Sequence, residues 1–188
     1  CDILGLDFNK VKPKITVQHK IKTIKKKYVC ISTESTIQGK FWNYPGGWQR
    51  VVDGLSTRGL QVVLSQSGVS DLKNVMKPDC SNIHDTINLV HNCEFFVGLT
   101  SGVSWLAWAL EKPVIMIAGI TEPWNEFKCI RVQNLDVCHG CMNSTKHRFD
   151  KSWNFCPEHF GTKREFECTK TIDPSMVLSA IDNLIKKT

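Results

Sequence analysis

The chain has 188 residues, of which 41% are hydrophobic and 22% are charged, and its net charge is +6. This balance is typical of one globular domain or two small ones, and it excludes a disordered chain, a collagen and a coiled coil. No apolar run reaches the ~20 residues that a membrane-spanning helix needs. The first residue is Cys1 and no basic leader follows it, so we expect a piece of a longer polypeptide without a signal peptide.

The positive charge is concentrated near the start of the chain. Residues 10–27 contain eight lysines, one histidine and no acidic residue. Such a run either binds an anionic partner, such as nucleic acid or a membrane surface, or is a solvated linker. Nucleic-acid sites usually place aromatic rings among the basic residues, and this run has none before Tyr28. We therefore predict an extended basic linker at residues 1–27 and a folded domain at residues 28–188.

From Tyr28 onward, strand-like and helix-like segments alternate. Strands are predicted at residues 28–32, 60–65, 94–98 and 113–118, and helices at residues 47–59, 85–92, 101–111 and 173–187. The strand at residues 113–118 is fully apolar, which indicates a central position. Asp173 and Pro174 suit the N-cap and the first turn of the last helix. The alternation predicts an α/β fold, a Rossmann-like parallel sheet with helices on both faces.

Two loops of the predicted domain combine hydroxyl side chains with glycine. Ligands of a parallel sheet bind beyond the carboxyl ends of its strands, where these loops begin. One loop runs from Ser32 to Lys40, and the other, residues 98–104, leads directly into a helix. Helix N–H groups and the helix dipole attract an anion, and Lys40 adds a positive charge. Together the two loops suit a diphosphate.

The same loops allow other interpretations. The chain has neither a G-x-G-x-x-G nor a P-loop sequence. One alternative is that Ser101 or Thr100 caps a helix, which Gly98 and Gly102 allow to pack closely. Residues 98–102 also resemble the G-x-S-x-G turn of hydrolases, with Thr100 in place of the serine. That central residue and the lack of an ordered catalytic triad disfavour a hydrolase.

The segment 138–168 contains no Val, Ile or Leu, so it can hardly build an aliphatic core. It contains a C-x-x-C turn at Cys138 and Cys141, and Cys156 and Cys168 follow after 14 and 11 intervening residues. Four thiolates are the usual ligands of zinc, and iron is also bound by four sulfurs. We predict a metal-binding loop with a structural role. Two disulfides, a redox C-x-x-C, or replacement of one cysteine by a histidine (His139, His147 or His159) remain as alternatives.

The other cysteines indicate a reducing environment. Cys30, Cys93 and Cys129 lie in apolar or aromatic surroundings, which is typical of buried free thiols. The total of nine cysteines is odd, whereas secreted disulfide frameworks usually pair evenly. We therefore expect a cytoplasmic protein.

Three segments together carry a resemblance to a known family. They are Lys40-Phe41-Trp42, the run from Phe96 to Ala109, and residues 119–123. They resemble the C-terminal half of ADP-heptose heptosyltransferases, over roughly residues 28–170. The four-cysteine set makes the bacterial autotransporter heptosyltransferases the closer match. Thr100-Ser101-Gly102 and Trp105 depart from the lipopolysaccharide enzymes, which have acid-Thr-Gly and a histidine there.

The resemblance implies the donor-binding half of a GT-B glycosyltransferase, in which the C-terminal Rossmann-like domain holds the nucleotide-sugar. By position, Thr33 and Ser35 would lie near the diphosphate, and Lys40 would pair with a phosphate or sugar oxygen. Residues meeting the diphosphate or heptose at the helix start would be Thr100, Ser101, Gly102 and Ser104. Ribose and adenine contacts would come from Ser65, Gln66 and Ile83.

The resemblance further implies an inverting transfer of heptose from ADP-heptose to serine hydroxyls of autotransporter adhesins in the bacterial cytoplasm. It implies iron at Cys138, Cys141, Cys156 and Cys168, with zinc as the alternative on chemistry alone. It also implies a large homo-oligomer and an N-terminal domain, absent from this chain, that supplies an aspartate general base. Two alternatives remain open: another nucleotide-sugar on the same fold, or a metal-stabilised nucleic-acid-binding module that uses the basic run.

Overall fold

The fold is built on a five-stranded parallel sheet. The computed structural model describes residues 5, 12–17, 24–66, 70–148 and 153–187. The strands are β1 (Tyr28–Ile31), β2 (Gln61–Leu64), β3 (Phe96–Leu99), β4 (Val114–Ile117) and β5 (Ile130–Val132). Their order is β2-β1-β3-β4-β5, and every neighbouring pair is parallel. This confirms the predicted parallel α/β sheet and its four predicted strands.

In the described ranges, five α-helices connect or cover the strands. They are α1 (Gly47–Thr57), α2 (Ile83–Asn92), α3 (Gly102–Ala109), α4 (Glu167–Lys170) and α5 (Pro174–Ile185). Four of them confirm predicted helices, and the Asp173 side chain caps α5 by accepting from the backbone N–H of Ser175. The short helix α4 and the edge strand β5 were not predicted. Among the described residues, no helix combines the length and the apolar character that crossing a membrane requires.

The strands β1 to β4 bury both of their faces. Successive side chains of a strand point to opposite faces, so Val29 and Ile31 join one apolar cluster whereas Tyr28 and Cys30 join another. The first cluster includes buried residues of α1 and α5, and the second includes buried residues of α2 and α3. Helices therefore cover both faces, as the sequence predicts.

The described part of the basic run contacts the domain. Ile24 is buried, and Ile15 and Val17 pack against the cluster that includes α2 and α3. The Lys12 ammonium lies 5.5 Å from the centre of the Trp108 ring. The predicted boundary at residue 28 stays a prediction. Three lysines and the histidine of the run lie outside the described residues: Lys10, Lys20, Lys22 and His19.

Candidate functional site

A polar cleft of about 590 Å³ opens at the carboxyl end of the sheet. Its wall consists of the loops that follow β1, β2 and β3, the first turns of α2 and α3, and Asn125. From β1 the chain passes to β2 on one side, and it then crosses from β2 to β3 on the other side of β1, so the strand order reverses at β1. Ligands of open parallel sheets bind at such a reversal. The cleft lies where the sequence analysis expects a ligand.

Gln66 ties the loop after β1 to the loop after β2. Its Oε1 atom accepts from the Ser32 hydroxyl at 3.1 Å and from the backbone N–H of Thr33 at 2.6 Å. Its Nε2 atom donates to the Thr33 hydroxyl oxygen at 3.2 Å. Ser32 and Gln66 line the cleft, whereas Thr33 is not part of its wall. The side chain of Thr33 therefore bonds within the protein.

Ser35 and Lys40 lie on the cleft wall as the sequence analysis expects. The Ser35 hydroxyl donates to the backbone carbonyl of Thr100 at 3.0 Å, which joins the loops after β1 and β3. Burial lowers the pKa of Lys40, and the negative charge of Glu126 acts in the opposite direction. The ammonium of Lys40 is thus a half-buried positive charge within a polar cleft.

The N-terminus of α3 opens into the same cleft. Ser101, Gly102 and Val103 line the wall, and the first N–H groups of a helix have no partner within the helix. The Ser101 side chain makes no cap hydrogen bond, and among the described residues its buried Oγ atom has no partner. A Cβ atom added at Gly102 would meet nothing within 4 Å, so open space adjoins this backbone. The arrangement offers hydrogen-bond donors to an anion.

Ser104 differs from the other predicted contacts of this loop. It is fully buried, and its hydroxyl donates to the backbone carbonyl of Leu99 at 2.5 Å. It does not line the cleft. The structure thus gathers Ser35, Lys40, Thr100, Ser101 and Gly102 around one space, and leaves Thr33 and Ser104 bonded within the protein.

The opposite end of the cleft lies beside β2 and α2. Ser65, Gln66 and Ile83 all contribute to the wall there. The Ser65 hydroxyl donates to the Ile31 carbonyl at 3.1 Å, and the Ile83 side chain is 61% exposed at the start of α2. Asn82 caps α2 by accepting from the backbone N–H of Asp85 at 3.0 Å. This end combines polar groups with an exposed apolar side chain.

A buried polar network that sequence reasoning missed lies behind Thr100. The Thr121 hydroxyl donates to Glu126 Oε1 at 2.7 Å, and the other carboxylate oxygen of Glu126 pairs with the Arg131 guanidinium. The Thr100 and Thr121 hydroxyl oxygens are 3.2 Å apart. Thr121 comes just after β4, so the rule that singled out the other loops could have found it. Glu126 and Arg131 gave no such signal, because charged residues are usually solvated.

The predicted metal ligands lie in a segment with little regular structure. Cys141 begins a short 3-10 turn, Cys141–Asn143, and is preceded by Gly140 at a φ of 72°, a left-handed conformation that favours glycine. The eight described cysteines form no disulfides with one another, which disfavours the two-disulfide alternative. A redox C-x-x-C usually begins an α-helix after a strand, and this turn does not.

The metal-binding potential of the segment centres on Cys138. One ligand atom each of Cys138, His159 and Glu167 lie within 4.8 Å of one another. This trio contains Cys138 alone of the four predicted cysteines, so the structure does not by itself show four-sulfur ligation. Among the described residues, the buried Nε2 atom of His159 has no hydrogen-bond partner. The backbone N–H of His159 donates to Cys156 Sγ at 3.4 Å.

The four cysteines nevertheless influence one another electrostatically. Burial, as the main cause, raises the pKa of Cys138 and Cys168 to about 12 and that of Cys141 to about 11. Neighbouring thiols add to the increase: Cys168 and Cys141 act on Cys138, Cys156 acts on Cys141, and Cys141 and Cys156 act on Cys168. Buried thiols in this arrangement stay neutral unless a cation offsets their charge.

The model of the family described as glycosyltransferase family 9 (heptosyltransferase) matches residues 5–153. The autotransporter heptosyltransferase BAHTCr of Citrobacter rodentium is 36% identical over 97% of this chain and 47% of its own length. BimC of Burkholderia thailandensis, named an inactive autotransporter heptosyltransferase, is 28% identical over 97% of this chain and 46% of its own length. The chain spans about half the length of the curated relatives it matches.

A solved structure has a similar fold. The crystal structure of TibC from Escherichia coli is 34% identical in sequence and superimposes with a TM-score of 0.85, over 98% of this chain and 52% of TibC. TibC is described there as a dodecameric iron-containing heptosyltransferase in complex with ADP-D-beta-D-heptose.

Proposed function

Because the chain belongs to glycosyltransferase family 9, the heptosyltransferase family, we propose that its cleft holds the nucleotide-sugar donor of a heptosyl transfer. The reaction we propose is the inverting transfer of heptose from ADP-heptose to serine hydroxyls of autotransporter adhesins. The observation that carries the proposal is the convergence of Lys40 and the N-terminus of α3 on one polar cleft at the reversal of strand order.

The diphosphate of the donor fits the middle of the cleft. There Lys40 and the first residues of α3 line the same space, and the buried Ser101 Oγ atom beside it has no partner among the described residues. Such groups stabilise the negative charge that develops on a departing ADP, because they are fixed before the reaction begins. Ser65, Gln66 and Ile83 would then contact the ribose and adenine at the β2 end. The complex of TibC with ADP-D-beta-D-heptose supports this assignment of the donor.

The metal in our proposal is iron, held by Cys138, Cys141, Cys156 and Cys168. These four metal ligands suit iron, because each of the thiols is close enough to at least one other to affect its pKa. Four sulfurs bind iron or zinc. The description of TibC as iron-containing favours iron. His159 is the alternative fourth ligand, since its buried Nε2 atom makes no hydrogen bond among the described residues and lies 3.6 Å from Glu167 Oε1, beside Cys138. The metal would supply structural cross-linking of the segment 138–168 and no chemical step.

The proposal also assigns a general base, an oligomeric state and a cellular location. Inverting transfer needs a general base that takes the proton of the acceptor hydroxyl, and we assign this base to an N-terminal half, which the longer relatives have room for. A homo-oligomer is proposed because TibC is described as dodecameric. We propose the bacterial cytoplasm as the location, as the apolar surroundings of Cys30 and Cys93 indicate.

The direct test is a calorimetric titration of the metal-loaded chain with ADP-heptose, with GDP-mannose as the comparison ligand. We expect saturable binding of ADP-heptose and none of GDP-mannose. Lys40→Ala should weaken ADP-heptose binding at least tenfold, because a charge-assisted contact with phosphate is worth about 1.5–3 kcal/mol. Lys27→Ala is the matched control, since Lys27 is exposed and lies just before β1, away from the cleft.

Two outcomes would contradict the proposal. One is a folded, metal-loaded chain that binds neither nucleotide-sugar. The other is Lys40→Ala binding ADP-heptose as tightly as the unmodified chain, which would remove the phosphate role of Lys40. The relation to BimC makes the measurement necessary, because that relative is named inactive.

A further inference from the structure

The buried network behind the cleft controls the direction of the hydroxyl of Thr100, a residue of the cleft wall. The Glu126 side chain is fully buried, and Arg131 holds one of its carboxylate oxygens. Arg131 also donates from Nη2 to the backbone carbonyl of Thr121 at 2.7 Å. The guanidinium therefore fixes both the carboxylate and the loop after β4. Thr121, which joins Glu126 to Thr100, is completely buried as well.

Hydrogen-bond chemistry sets the direction of each hydrogen in this network. A carboxylate only accepts, so the single hydrogen of the Thr121 hydroxyl points to Glu126. At the contact of 3.2 Å with Thr100, the Thr121 oxygen is then the acceptor, and Thr100 donates. The Met116 sulfur, 3.8 Å from the Thr100 oxygen, offers a second acceptor inside the protein. In either arrangement the hydrogen of the Thr100 hydroxyl is used within the protein.

The hydroxyls around the cleft therefore differ in what they can offer a ligand. The hydrogens of Ser32 and Ser35 are also used, by Gln66 and by the Thr100 carbonyl. The Ser101 hydroxyl has no partner among the described residues, so its hydrogen is available. Phosphate oxygens need donors, whereas hydroxyl groups of a sugar can donate to an oxygen. Thr100 is thus suited to a hydroxyl and unsuited to a phosphate.

We propose that Glu126 and Thr121 are positioning residues, which orient the Thr100 hydroxyl so that it accepts a hydrogen bond from a hydroxyl of the bound nucleotide-sugar. The inference rests on the proposed function, since it assumes that a nucleotide-sugar occupies the cleft. It separates two roles within one loop: Thr100 contacts a hydroxyl, and Ser101 with the N-terminus of α3 contacts the phosphates. The hydroxyl belongs to the ribose or to the transferred sugar, and the experiment distinguishes them.

Thr121→Val is the variant of choice. It removes the hydroxyl with almost no change in shape, and it leaves the charge of Glu126, which also acts on Lys40, in place. We expect the Kd for ADP-heptose to rise about fivefold, which is the loss of one neutral hydrogen bond of about 1 kcal/mol. Thr121→Ser keeps the hydroxyl and should restore the affinity. Thr57→Val, at the end of α1, controls for the loss of a threonine hydroxyl, and thermal unfolding checks each variant.

Two further comparisons test the route through Thr100. Thr100→Val should weaken ADP-heptose binding by a similar factor, and Thr121→Val should add nothing to it in the double variant. Inorganic pyrophosphate has no hydroxyl of this kind, so its affinity should be unchanged by Thr100→Val and reduced by Lys40→Ala. This comparison still tests the proposal if Thr121→Val fails to fold.

Binding of ADP and of ADP-heptose, measured side by side, shows whether the hydroxyl belongs to the ribose or to the transferred sugar. Weaker binding of both ADP and ADP-heptose assigns it to the ribose, and weaker binding of ADP-heptose alone assigns it to the transferred sugar. Additive losses in the double variant, or a loss of pyrophosphate affinity in Thr100→Val, would overturn the inference and leave the proposed function intact. No binding of ADP or ADP-heptose by the unmodified chain overturns the proposed function and the inference with it.

Discussion

The sheet and the four-cysteine segment, residues 138–168, are ordered by different means. Two large apolar clusters cover the faces of the sheet. The cluster beside the segment is small, and its two buried aliphatic residues, Ile37 and Ile120, come from outside the segment. Burial of apolar area is the main favourable contribution to folding, at about 25 cal/mol per Å². The segment lacks the side chains for that contribution, so a metal cross-link is the physical alternative.

Removing the metal should reveal the largest difference between the sheet and the segment 138–168. We expect a chelator, or Cys141→Ser, to release the segment 138–168 while the sheet stays folded, because metal binding supplies most of the folding free energy of such segments. Limited proteolysis with mass spectrometry should show new cleavage confined to the segment, and far-UV circular dichroism should keep the signal of the α/β sheet. Cys129→Ser, outside the predicted set, is the control and should retain the metal. Cleavage spread across the sheet would contradict the comparison.

A cavity made in the core of the sheet should have the opposite effect: it should lower the stability of the sheet and leave the metal bound. Ile115 is fully buried in β4, and Ile115→Ala should lower the free energy of unfolding by about 2–5 kcal/mol. Denaturant unfolding measures this loss, and elemental analysis of the folded variant should show unchanged metal content. Ile130→Ala, at a position that is 37% exposed in β5, should cost clearly less. If Ile115→Ala lost the metal while still folded, the two regions would not be independent.

Gly119 is the place where the two regions meet. A Cβ atom there would lie 2.8 Å from the backbone carbonyl oxygen of Cys168, so Gly119→Ala must displace the chain at a predicted ligand. We expect a loss of stability of about 1–3 kcal/mol, together with weaker metal binding in a competition assay. Gly102→Ala, where nothing lies within 4 Å, should leave the thermal unfolding midpoint nearly unchanged. Equal metal affinity in Gly119→Ala would show that the junction does not hold the cysteines in place.

The smallest expected effect concerns the charge of Lys40. Burial lowers the pKa of Lys40 from its ordinary 10.5, with Glu126 acting in the opposite direction. The ammonium loses its charge as the pH rises through this lowered pKa, so the affinity for ADP should fall at a lower pH than an exposed lysine would cause. Calorimetric titrations across the alkaline range measure this. Lys40→Arg keeps its charge at these pH values and should remove the dependence, and a dependence that persists there would have to come from another group.

The sequence predicted the sheet well because its signal is local. The apolar runs that became β1, β2, β3 and β4 alternate with amphipathic segments, and this alternation determines the class of fold. The strand β5 was missed because Ile130–Val132 is three residues long and has Arg131 at its centre. That arginine pairs with the buried Glu126, a partner that no sequence pattern announces.

The candidate site was predicted in part for the same reason. Lys40, Ser101 and Gly102 stand in loops that directly follow strands, so their position at the cleft follows from the order of elements. The order of elements does not determine which hydroxyls face the cleft, because the rotation of a side chain depends on its neighbours in space. Ser104 was expected at the ligand, yet its hydroxyl bonds to the Leu99 carbonyl from a fully buried position.

By itself, the sequence determined the parallel α/β fold, the edge of the sheet where a ligand would bind, and a cysteine-rich segment without an aliphatic core. These features depend on hydrophobic periodicity, chain order and composition, all of which are properties of neighbouring residues. Only the tertiary structure decided that Glu126, Thr121 and Thr100 form one hydrogen-bonded network and that Ser101 keeps an available hydroxyl. Those contacts join the loop after β3 to the connection between β4 and β5, and the direction of each hydrogen follows from the partner that the fold places beside it.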